Sequence, residues 1–136
     1  MNPILKNILA LVAGIIAGSI VNISLILLGH LLVPPPAGMN PMDMESLKTF
    51  MPMFEAKHFV GPFLAHALGT LIGAFTTAKI AVNHQLKFAL AIGVWFLYGG
   101  ISMVIDFSSP MWFNVMDLVL AYLPMAWLGW KISEKQ

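Results

Sequence analysis

The chain contains no cysteine and no arginine, and only 10% of its 136 residues are charged. Without cysteine there are neither disulfides nor thiolate nucleophiles and ligands. Without arginine, flat two-pronged capture of phosphate or carboxylate is missing, because all seven basic residues are lysines. The net charge of +1 gives no electrostatic footprint for nucleic acid. Catalytic signatures are absent too. There is no glycine-rich phosphate loop, no nucleophile elbow and no His-Glu-x-x-His pattern, and Ser102, Ser108 and Ser109 have no neighbouring base in sequence. A non-enzymatic protein without a cofactor is the expectation.

What the chain has instead is apolar length. Hydrophobic residues make up 59% of it, and residues 8–32 contain no Asp, Glu, Lys or Arg. A bilayer core about 30 Å thick is crossed by roughly 20 apolar residues at about 1.5 Å each. Three more such runs follow, so the fold expected is an all-α integral membrane bundle of four transmembrane helices, forming a single domain over residues 1–136. Lys6 ahead of the first run imitates a signal peptide, but the run is much longer than the roughly 7–15 apolar residues of one. It reads as a retained helix that also directs insertion.

The spans are expected at about residues 7–33, 62–82, 88–105 and 110–131. Pro34, Pro35 and Pro36 end the first, since none can donate a backbone hydrogen bond. Residues 34–61 form the one long loop. Within it, Asn40, Pro41 and Asp43 predict a short amphipathic helix that starts at Asn40 and ends near Phe50 or Met51, with Met44, Leu47 and Met51 on its apolar face. Residues 83–87 make a tight turn. Ser109 and Pro110 look like the cap and first position of the last span.

Lysine placement sets orientation. Lys6, Lys79, Lys87, Lys131 and Lys135 fall on one side, whereas Lys48 and Lys57 share the other with Asp43, Glu45, Glu55 and Asp106. The positive-inside bias then puts both termini in the cytoplasm and the long loop outside. Trp127 and Trp130 near the inner boundary and Trp112 near the outer one suit an aromatic belt.

Small residues recur every fourth position: Ala10, Gly14 and Gly18, then Asn22, in the first span; Ala65, Gly69, Gly73 and Thr77 in the second. Each set lies on one helix face and allows close backbone approach in lipid. Either these two spans pack together along Gly14, Gly18, Gly69 and Gly73, or the stripes form a seam between copies. Leu64, Ala65 and Gly73 match Leu120, Ala121 and Gly129 in spacing, too few identities to define a repeat.

Polar side chains gather in the outer half. Asn22 and His30 lie in the first span, His66 and Thr70 in the second, Ser102 in the third, and Asp117 and Tyr122 in the fourth. His66 sits about 6 Å along its helix from Pro62, and Asp117 about 10 Å beyond Pro110. Ionisable residues at such depths usually face protein or trapped water. An outward-facing ligand or ion pocket built from His66, Thr70, Ser102, Asp117, Tyr122 and Asn22 is the sharpest reading. Alternatively, Asp117 supports a helix start, as the third residue after an Asn114 cap, and His66 snorkels to the interface.

Two metal readings are weaker. Glu55 and His58 form a Glu-x-x-His pair resembling half of a carboxylate metal site, though Pro62 interrupts any helix shared with His66. Met39, Met42, Met44, Met51 and Met53 crowd the outer loop, where thioethers could meet Cu(I) or serve as flexible apolar filler.

The segments Val33-Pro34-Pro35-Pro36-Ala37-Gly38, Phe54-Glu55-Ala56-Lys57-His58-Phe59 running on to His66-Ala67-Leu68-Gly69-Thr70, and Ala121-Tyr122-Leu123-Pro124 resemble a group of small bacterial four-span inner-membrane proteins. The resemblance covers nearly the whole chain. It implies the architecture and a bacterial inner membrane, and brings no activity with it. The function expected is therefore a non-enzymatic inner-membrane protein, self-associating or bound to a membrane partner, with a small outward pocket. The alternative is a minimal transporter or channel subunit, for which Asn22 and Tyr122 are the polar groups nearest mid-depth.

Overall fold

The computed structural model describes residues 1–135. They form helices and loops, with no strand among the described residues. Helix α1 is Pro3–Leu32, α2 is Met44–Phe50, α3 is Val60–Ile80, α4 is Gln85–Asp106, α5 is Met111–Leu120 and α6 is Leu123–Glu134. Single 3-10 turns, Met51–Met53 and Ala56–Phe59, link α2 to α3. Four segments are long and apolar enough to cross a membrane: Pro3–Leu32, Ala56–Ile80, Gln85–Asp106 and Met111–Glu134.

Local chemistry explains the boundaries. The Asn2 side chain accepts from the backbone N–H of Ile4 at 2.8 Å, and Pro3 takes the first helical position, where its missing donor costs nothing. The loop helix starts later than its sequence predicts, at Met44 rather than Pro41, because two Asx caps compete. Asn40 accepts from Met42 N–H to make a turn, and Asp43 then accepts from Glu45 N–H as the true N-cap. His84 adopts the left-handed conformation (φ 50°) that reverses the chain between α3 and α4. The last span is broken. Pro124 offers no N–H to the carbonyl of Leu120, so α5 stops there and α6 restarts after Tyr122, whose ψ of −80° lies outside the helical range.

Helix α3 is central, packing against α1, α4 and α6. Its seam with α1 is built on absent side chains. A Cβ on Gly14 would meet the Gly73 carbonyl at 2.6 Å, and one on Gly18 the Gly69 carbonyl at 2.7 Å; the reverse substitutions meet the same backbones at 2.8 and 2.9 Å. The two glycine stripes therefore face each other inside one chain. Thr77 donates across the seam to the Ala10 carbonyl at 3.0 Å.

At one end of the bundle Asn7 ties α1 to the α3–α4 turn, donating to Asn83 and accepting from Val82 N–H. Just above lies an alanine-rich layer of Ala74, Ala78, Ala89, Ile92 and Ala126. At the other end Met51, Phe59, Phe107 and Phe113 form a second core, to which Leu47 and Phe54 of the long loop contribute. Both termini and the 81–84 turn thus share one end, and the long loop shares the other with the α4–α5 turn.

Candidate functional site

Between these two layers, three side chains from separate segments meet. Asp117, on α5, is 3% exposed. Its Oδ1 lies 2.8 Å from Nδ1 of His66 on α3, and its Oδ2 accepts a 3.0 Å hydrogen bond from the hydroxyl of Tyr122. The imidazole and phenol rings stack with centroids 5.8 Å apart. Asp117 and Tyr122 are five residues apart, which on an unbroken helix would point them about 140° from one another. The break ahead of Pro124 closes that angle and lets the hydroxyl reach back. Gly100 on α4 makes room for it, since a Cβ there would meet the Tyr122 oxygen at 2.5 Å.

His66 borders two cavities. The first, of about 190 Å³, lies toward the long loop. Met44, Met51, Phe54, Phe59, Phe107 and Phe113 contribute to its apolar wall, and His30, His66, Ser109, Asn114 and Asp117 supply the polar groups. Asp117 is the one acidic side chain among the lining residues, and no lysine joins it. The second cavity, of about 310 Å³, lies beside α3 between α1 and α4, against Asn22, Thr70, Gly99 and Tyr122.

The structure thus brings His66, Asp117 and Tyr122 into direct contact, with Asn22 and Thr70 across the second cavity. It does not bring Ser102 there. That hydroxyl donates to the Tyr98 carbonyl on its own helix at 3.0 Å, and Ser102 lines neither cavity. Asp117 is not a helix-start residue, since α5 begins at Met111. Ser109 and Asn114 bond each other near that start: the Ser109 hydroxyl donates to Asn114 Oδ1 at 2.6 Å. Sequence reasoning missed Asn114 as a wall residue. In the sequence His30 is one more polar group, and nothing in the spacing reveals that its buried Nδ1 finds no partner.

Glu55 and His58 are occupied locally. They form a capping box in which Glu55 N–H donates to His58 Nδ1 at 2.8 Å, while His58 Nε2 lies 3.1 Å from the Pro34 carbonyl. Their Glu-x-x-His spacing reflects this box rather than a ligand pair, and among the described residues no cluster of three or more His, Asp or Glu could hold a metal ion. The loop methionines divide: Met44 and Met51 line the first cavity, whereas Met42 and Met53 point outward.

Chemically, the site pairs a buried carboxylate with one histidine. A carboxylate in an apolar wall is costly unless a positive charge offsets it, and a cation in the adjoining cavity would do so. No protein-family model, curated protein or solved structure matches the chain.

Proposed function

We propose that the chain is an integral protein of a bacterial inner membrane, with both termini in the cytoplasm and the long loop outside. It binds a small, largely apolar cation, such as an alkylammonium, in the loop-side cavity. It works without catalysis, as a self-associating unit or beside a membrane partner. The observation that carries this reading is Asp117: a buried carboxylate held by two donors at the floor of a methionine and phenylalanine cavity. The ammonium would be drawn by the carboxylate and by the faces of Phe54, Phe59, Phe107 and Phe113, and the alkyl body by the methionines.

The alternative, a minimal transporter or channel subunit, draws support from the position of His66 between two cavities. It would require the alanine-rich layer of Ala74, Ala78, Ala89, Ile92 and Ala126 to part. Thermal unfolding of the protein in nanodiscs with butylammonium or butanol tests the binding reading. A ligand at about 100 times its Kd stabilises the folded state by about 2.7 kcal/mol. Butylammonium should raise Tm saturably, butanol should not, and Asp117→Asn should abolish the rise. Equal stabilisation by butanol, or an unchanged response in the variant, would overturn it.

A further inference from the structure

The second cavity has its own chemistry. Helix α3 contains three threonines. Thr76 donates to the Ile72 carbonyl on its own helix, the usual habit of a helical threonine, and Thr77 donates across to Ala10. Thr70 does neither. It is 1% exposed and its hydroxyl has no hydrogen-bond partner. A buried hydroxyl without a partner is costly, so its place on the cavity wall points to an occupant. Asn22, His66 and Tyr122 line the same cavity, so its polar groups can both donate and accept.

The mouth of this cavity is on the outer surface of the bundle, not under the loop. Lower down, α1 and α4 come together: Ile92 and Phe96 of α4 pack where Cβ atoms on Gly14 and Gly18 would sit. Higher up they diverge. Gly99 is exposed, lines the cavity, and has nothing within 4 Å of where its Cβ would be. Thr70 is ten residues into α3 and Asn22 ten residues from the end of α1, so the cavity reaches about 15 Å below the loop end. Flanking surface residues are apolar: Ile23, Leu27, Tyr98 and Ile101 are all exposed. If the bundle is embedded as proposed above, this gap opens on lipid tails rather than water.

We infer that the gap between α1 and α4 is a lateral binding site for a membrane-dissolved molecule with a hydrocarbon chain and a single uncharged hydroxyl or carbonyl head. The head bonds Thr70 and its polar neighbours, and the chain leaves past Gly99 into the bilayer. A charged head is disfavoured, because Asp117 does not line this cavity and no lysine does. The inference shares the membrane embedding with the proposed function, and Ile26, His66, Gly100 and Met103 line both cavities. It needs no cation, and Gly99 and Thr70 do not line the loop-side cavity, so the two readings fail separately.

The test uses the full-length protein in phosphatidylcholine nanodiscs and two photoactivatable probes. One is a C16 alcohol with a diazirine near the hydroxyl, and the other is the same chain without the hydroxyl. Adducts are mapped by peptide mass spectrometry. The alcohol should label residues 22–26 and 96–103 in preference to the alkane. Thr70→Val keeps the side-chain shape and should lower that preference by about 3- to 10-fold, the range for one hydrogen bond. Gly99→Leu fills the open mouth and should remove the labelling, while the butylammonium response persists. Equal labelling by the two probes, or labelling unchanged in both variants with wild-type unfolding, would overturn the inference.

Discussion

Replacing Gly18 with alanine adds one methyl group at the α1–α3 seam, and its effect can be worked from distances. The new Cβ would lie 2.7 Å from the Gly69 carbonyl and 2.8 Å from Cζ of Phe96, whereas ordinary contact begins near 3.4 Å. The phenylalanine ring can swing aside, but the carbonyl belongs to a helix, so α1 must lift off α3 by several tenths of an ångström. Overpacking of this kind costs about 1–3 kcal/mol. Restricting the backbone of the unfolded chain returns about 0.5–1 kcal/mol. The net expectation is a loss of up to about 2.5 kcal/mol, centred on about 1 kcal/mol. Gly99→Ala provides the control, because its Cβ meets nothing within 4 Å. Only the backbone term remains there, and stability should be unchanged or rise by up to about 1 kcal/mol. Equilibrium unfolding in mixed micelles, followed by tryptophan fluorescence, resolves a difference of this size. If the two variants unfold alike, the internal glycine seam is not what holds α1 to α3.

Two further outcomes follow from the site and the orientation. Tyr122→Phe leaves Asp117 Oδ2 without its donor and should destabilise the protein by about 1.5–3 kcal/mol in the same assay, as expected for a hydrogen bond to a charged group. A reporter fused after Lys57 should be active outside the cytoplasm and one at the C-terminus inside it; the opposite pattern would reverse the pocket.

Much of the architecture was legible because long apolar helices write their length and period directly into the chain. The four long apolar segments and the glycine stripes rest on local rules. Boundaries were less readable: Asn40 and Asp43 both have capping side chains, and only the fold decides that Asp43 wins. The site was legible as a depth, not as a set of contacts. His66, Asp117 and Tyr122 share a level of the bundle, and helix geometry alone gives that level. Ser102 shares it too, yet its hydroxyl turns back to Tyr98, a choice no spacing reveals. The gap between α1 and α4 is left open at Gly99, and Gly100 admits the Tyr122 hydroxyl. Neither belongs to a four-residue stripe. The capping box of Glu55 and His58 shows the converse, a spacing that imitates a ligand pair while satisfying backbone groups nearby.

The most direct measurement of the central claim is nitrogen NMR of the histidine imidazoles in the nanodisc-embedded protein, titrated with butylammonium. His66 is bonded to Asp117 at the cavity floor, whereas His84 sits in the turn at the opposite end of the bundle. The His66 resonances should move saturably while those of His84 stay fixed, and Asp117→Asn should remove the response. His66 resonances that do not move, or that move together with His84 and persist in the variant, would contradict a cation site at Asp117.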